Sequence, residues 1–174
     1  SGDKLVMAND TQLYVIDVSL PQEIYYQKSI NDIEQIEMCD LGEYYVLLTL
    51  EGGALSAENL DGEPIDLSIG VENISYVNCQ GNDFAYLSPN HPDKVFMSNL
   101  ELSGALSYQI NASAEEEVEQ VLADWDTPVD IQNATITNIV FDKSHLLVSV
   151  NVSSVDRIVL VDRESTDHRL LGDG

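Results

Sequence analysis

The sequence predicts an all-β fold built from repeated four-stranded antiparallel units, and three observations carry that prediction. Short runs of Val, Ile, Leu and Tyr alternate with Gly, Asn, Asp and Pro along the whole chain, a strand-and-turn pattern rather than a helical one. One hairpin design, an apolar run followed by a polar turn and a return to apolar residues, recurs with Leu13, Leu55, Val95 and Ile158 at equivalent places, at spacings of 42, 40 and 63 residues. A helical pattern occurs at one place, inside the longest of these spacings.

The first unit opens with an apolar run at Lys4 to Met7 and continues in "TQLYVIDVSLPQEI", where Leu13 to Ile16 lead into Asp17 and a polar turn through Pro21. It has no inner strand before Lys4 and is expected to be partial. The second unit runs through "DIEQIEMCDLGEYYVLLTL" and then "GALSAENLDGEPIDLSI", turning at Asp61-Gly62. The third follows with "NISYVNCQGNDFAYLS" and "KVFMSNLELSGALSYQI", turning at Ser103-Gly104, and the fourth with "ATITNIVFDKSHLLVSV" and "DRIVLVDRESTDHRLL". Cys39, Cys79 and Phe141 end the first strand of their units, Tyr45, Phe84 and Leu146 begin the second, and Asn31, Asn73 and Asn133 precede the first.

The long third spacing contains "SAEEEVEQVLADWDTP". Ser113 with Glu116 three residues later is a capping box, Val118, Val121, Leu122 and Trp125 follow at helical spacing, and Pro128 stops the run. One helix near 113–126 is therefore predicted as an insertion. Removing it with its flanks, roughly 20 residues, restores the common period.

A four-stranded unit of about 40 residues is the sequence form of a β-propeller blade. About four blades, the first partial, are expected within a single β-rich domain over residues 1–174. Propellers typically close with about four to eight blades, so the chain also fits a segment of a larger propeller. An irregular β-sandwich is the alternative. The hairpins resemble the third and fourth strands of bacterial periplasmic and secreted propellers such as the Tol-system type. "LYVIDVSLPQEI" is similar to the LVIVD repeat family in Ile16-Asp17-Val18-Ser19 and Pro21. The Gly-His and Trp-Asp marks of WD repeats are missing from the strand ends, since Trp125-Asp126 lies in the insertion. The resemblance implies an exported setting.

Composition narrows the partners. Seven Lys and Arg against 31 Asp and Glu give a formal charge of −24, a field that repels phosphate backbones and anionic lipid. Neither nucleic-acid binding nor membrane insertion is expected, and no run approaches the roughly 18 to 20 apolar residues of a spanning helix. The acidic residues are dispersed, with Glu115 to Glu117 the longest run, which reads as a solvated acidic surface and also suits a cation-rich or salty medium. Five N-x-S/T sequons stand at Asn9, Asn73, Asn111, Asn133 and Asn151 as candidate glycosylation sites. They lean the expected location towards extracellular, cell-surface or periplasmic.

Catalytic chemistry has little support. Cys39 and Cys79 fall at equivalent places of adjacent units, where sheets about 10 Å apart would hold them beyond disulfide reach, so they are expected to be two small buried apolar residues. His91 reads as loop and His168, with Arg169, as part of an outer strand. With His145 they lack the i, i+4 spacing of a zinc site and are expected to be ordinary surface histidines. No G-x-S-x-G elbow or phosphate-binding loop occurs. No catalytic residue, cofactor or metal site is assigned. Ca²⁺ is the one cofactor considered, at the acidic turns Asn59 to Glu63 and Asp124 to Asp126, which depart from the usual calcium-loop pattern.

The apolar stripe Val118, Val121, Leu122 and Trp125 is the candidate partner-binding surface, with packing on the parent domain as its competing role. The expected function is a non-catalytic exported or cell-surface interaction module that binds protein or carbohydrate. A segment of a larger propeller enzyme and a structural subunit of an extracellular assembly are the alternatives.

Overall fold

The computed structural model describes residues 4–20, 23–42, 44–67, 69, 71–102, 106–111, 134–142, 144–152, 154–162 and 168–173. Among them the chain forms fifteen strands in four antiparallel sheets, each filled in chain order. Sheet 1 holds β1 (Lys4–Ala8), β2 (Gln12–Asp17) and β3 (Ile24–Ser29). Sheet 2 holds β4 (Ile33–Asp40), β5 (Tyr45–Glu51), β6 (Ala54–Asn59) and β7 (Pro64–Ile65). Sheet 3 holds β8 (Tyr76–Gln80), β9 (Asp83–Ser88), β10 (His91–Leu102) and β11 (Leu106–Asn111), and sheet 4 holds β12 (Ala134–Phe141), β13 (His145–Val152), β14 (Val155–Asp162) and β15 (His168–Asp173). The four repeat units of the sequence are these four sheets, and the partial unit is the three-stranded one. Four meanders replace the two stacked sheets that a sandwich would need. The helix expected over 113–126 lies outside the described residues.

Tight turns set the registers. Glu51 pairs with Ala54, leaving Gly52 and Gly53 as a two-residue hairpin loop with φ of 55° and 78°. Both central residues of such a turn need positive φ, which glycine adopts without a Cβ clash. At Gly53 a Cβ would also come within 3.3 Å of the Asn73 Cα.

Three apolar cores lie between consecutive sheets. Leu13 and Val15 of β2 meet Leu47 of β5, with Ile36 and Met38 packed beside them. Val46, Leu48 and Leu50 on the other side of β5 meet Val77, Phe84 and Tyr86 of sheet 3. Ala85 and Leu87, the alternate residues of β9, then meet Ile139, Leu146, Val148 and Val159 of sheet 4. Side chains alternate across a strand, so β5 and β9 are covered on both faces. This is why "YVLLTL" and "DFAYLS" are nearly continuous apolar runs rather than alternating ones.

The first strands of neighbouring sheets converge. The Gln35 side chain of β4 behaves like a piece of backbone toward β8: its Nε2 donates to the Val77 carbonyl at 2.6 Å and its Oε1 accepts from the Val77 amide at 3.0 Å. A few residues on, Cys39 and Cys79 form a disulfide with Cα atoms 5.5 Å apart. The expectation of two unbridged cysteines is thereby corrected. Sheets that meet at their first strands are closer there than the face-to-face spacing, and equivalent positions come within bridging range.

Candidate functional site

One polar position repeats in every sheet. Four residues after Leu13, Leu55, Val95 and Ile158 stand Asp17, Asn59, Asn99 and Asp162. Asp17 Oδ1 accepts from the Ser19 amide at 2.9 Å and from its hydroxyl, while Oδ2 accepts from Lys4 Nζ at 2.7 Å across the β1–β2 pair. Lys4 Nζ also lies 3.6 Å from the centre of the Tyr25 ring. The Lys4 ammonium, with help from the Ser19 hydroxyl, holds the Asp17 carboxyl well below the usual carboxylate range. Asn59 performs the same task in sheet 2, its Oδ1 accepting from the amides of Asp61 and Glu63 at 3.0 and 2.9 Å. Asn99 donates from Nδ2 to Asp83 across β10 and β9. Asp17 and Asn59 thus hold turns, Asn99 joins two strands, and Asp162 stands at the same place of sheet 4. The offset of four from each repeat position is the signal that marks them.

The turn Asn59 to Glu63 is the first of the two considered for Ca²⁺. The Asn59 oxygen already accepts two backbone amides, and its Nδ2 donates to Glu63 Oε2 at 2.9 Å. Among the described residues no group of three or more His, Cys, Asp or Glu side chains gathers as metal ligands would. The second acidic turn, Asp124 to Asp126, lies outside the described residues.

The three histidines lie on different strands, β10, β13 and β15. His91 begins β10 instead of lying in a loop, because its backbone pairs with Ser88 and its ring meets Phe96 edge-on at 5.6 Å. His145 opens β13, where Asp142 caps the turn by accepting from the amides of Ser144 and His145, both at 2.7 Å. Those two amides hold the Asp142 carboxyl below its usual range. His168 and Arg169 lie on β15, the outermost strand of sheet 4, as expected.

Beside the disulfide, Glu37 is half-buried on β4 and accepts from Gln35 Nε2 at 3.1 Å. Burial pushes its carboxyl up, and burial together with the Glu37 charge pushes the Tyr76 hydroxyl up. Between sheets 1 and 2, Lys28 Nζ pairs with both Glu58 oxygens at 2.9 and 3.0 Å. Burial and the neighbouring Glu58 push the Tyr26 hydroxyl up to about 12. These groups join strands and sheets.

Of the sequons, Asn9 is an exposed turn residue whose Oδ1 accepts from the amides of Thr11 and Gln12. Asn73 is exposed with φ of 56°, and Asn151 is a half-buried strand residue donating to Asp156 at 2.6 Å. Asn111 ends β11. Asn133 lies outside the described residues, as do the candidate partner-binding residues Val118, Val121, Leu122 and Trp125.

Exposed apolar surface gathers on the two end sheets. Among the described residues nine large hydrophobic side chains are exposed. Six of them, Leu5, Met7, Val18, Leu20, Ile24 and Tyr25, belong to sheet 1 and its β2–β3 turn, and Val140 and Val155 belong to sheet 4. The register aligns Leu5, Ile16 and Ile24 as one row across sheet 1. It aligns Val140, Leu147 and Leu160 as another across sheet 4. A recess of about 280 Å³ sits on that second row, lined by Val140, Phe141, Asp142, His145, Leu147 and Leu160.

Fold and surface define, among the described residues, an all-β protein of four antiparallel meanders packed in chain order, with exposed apolar side chains on the first and last. No protein-family model matches the chain, and no curated protein matches it significantly.

Proposed function

We propose that this chain is a non-catalytic interaction module of the propeller-like class, acting outside the cytoplasm and binding a protein or carbohydrate partner. The observation that carries the reading is the placement of exposed apolar side chains on the two end sheets. Isolated surface hydrophobics are ordinary, but grouped ones mark interaction surfaces. The repeated polar residues, by contrast, are engaged in turns and strand pairs. The blade reading is supported by the four-stranded meanders stacked in chain order and by the convergence of β4 and β8. The disulfide is consistent with an oxidising compartment. Glycan attachment at Asn9 and Asn73 fits their exposure.

The test is affinity capture from the extracellular fraction of the source organism, and binding to a panel of soluble glycans, each with wild type and with a Leu5→Lys/Ile24→Lys variant. A partner retained by wild type and lost by the variant supports the module. Retention of no protein or glycan beyond background by wild type sinks it.

A further inference from the structure

We propose that the two end sheets are complementary halves of one interface, and that a second copy of this chain occupies it: the outer face of sheet 1 in one copy stacks on the outer face of sheet 4 in the other. This rests on the interaction-module reading and names its partner.

The repeat supplies the first argument. β1, β5, β9 and β13 are equivalent strands, and each carries apolar residues on both faces: Val6 and Met7, Val46 and Leu47, Ala85 and Tyr86, Leu147 and Val148. β5 and β9 have both faces buried between sheets. On β1 Met7 is 45% exposed, and on β13 Leu147 is left half-buried outside the core that holds Val148. The two end strands have the composition of covered strands, and no sheet among the described residues covers their outer faces.

The second argument is the match between the faces. Each presents an aliphatic row three strands wide, Leu5–Ile16–Ile24 on one and Val140–Leu147–Leu160 on the other, the second flanked by Asp142 and His145 and continued in register by Arg169 of β15. The recess over the second row offers a seat for a side chain of the first. An occupant must bring an antiparallel sheet with an apolar face, as each inner sheet does for its neighbours, and this chain carries one at either end. Because the two faces differ, the contact is heterologous, and such contacts close as rings or continue as chains. Two copies of four sheets each make eight, within the range over which radial sheets close.

Charge gives the contact a signature. Each copy carries −24, so like-charge repulsion opposes association at low salt and screening relieves it. A cationic partner on the same face would show the opposite dependence.

Sedimentation equilibrium of the full chain, from micromolar to millimolar concentration and at low and high salt, is the test. The expected result is a mass that doubles with concentration and does so earlier at high salt. Leu5→Lys/Ile24→Lys and, separately, Leu147→Lys each return the chain to monomer, and mixing the two variants restores a dimer, because one intact pair of faces remains. A wild type that stays monomeric under every condition overturns the proposal without help from any variant. So does a dimer that persists in either variant alone. A monomer that still captures an extracellular protein refutes only the second copy, whereas a monomer that captures nothing refutes the module as well.

Discussion

Two half-hidden carboxylates respond to acid in opposite directions. Asp17 is held below the ordinary carboxylate value of 3.8 by Lys4 and Ser19, so folding favours its charged form. Its contribution is full above that ordinary value and is lost as pH falls through the lower folded one. Thermal melts between about pH 4 and pH 2 should therefore fall more steeply for wild type than for Asp17→Asn. Glu37 is pushed above its ordinary 4.5 by burial. Its folded value is the higher one, so the protonated form is favoured by folding and stability is lost as pH rises through that value. Glu37→Gln should melt higher than wild type at pH 7, with the gain shrinking at pH 4, since the amide keeps the volume and removes the charge. Equal melting temperatures at pH 7 would refute this account.

At the scale of elements, strands were readable because alternation and turn chemistry are local. Asp61-Gly62 announces a turn by itself. The disulfide was not readable, because the distance between Cys39 and Cys79 depends on how closely β4 and β8 approach, and Gln35 bridging to Val77 is part of that approach. The bridge spans 40 residues and ties sheet 2 to sheet 3. Closing a loop of that length in the unfolded chain is worth about 4 kcal/mol in the chain-entropy account. The Cys39→Ser/Cys79→Ser variant should lose stability on that scale in denaturant titration. Reductant should lower the melting temperature of wild type and leave the variant unchanged. His91 shows the same limit: a Pro neighbour suggested a loop, and pairing with Ser88 together with the Phe96 contact made it a strand residue.

The whole molecule carries −24, and self-repulsion at that charge weighs against the compact state. Melting temperature should rise with monovalent salt over the range where the Debye length falls from about 30 to 8 Å. At the Asn59 to Glu63 turn Ca²⁺ should add nothing beyond its ionic strength, because the Asn59 oxygen is engaged by the turn backbone; a larger shift in melting temperature that is reversed by chelator and lost in Asp61→Asn/Glu63→Gln would place a cation there. By itself the sequence determined the strand order, the four-fold repeat, the partial first unit and the turn at Asp61-Gly62, all of which follow from local periodicity and backbone preference, while the Ser103-Gly104 turn lies outside the described residues. Tertiary structure alone decided that the cysteines bridge, that Asp17 pairs with Lys4 across β1 and β2, and that Leu5, Ile24 and Val140 on sheets 1 and 4 are exposed while β5 and β9 are buried on both faces. The reason is physical: a strand's pattern says which residues can be covered, and only the packing of neighbouring sheets determines which of them are.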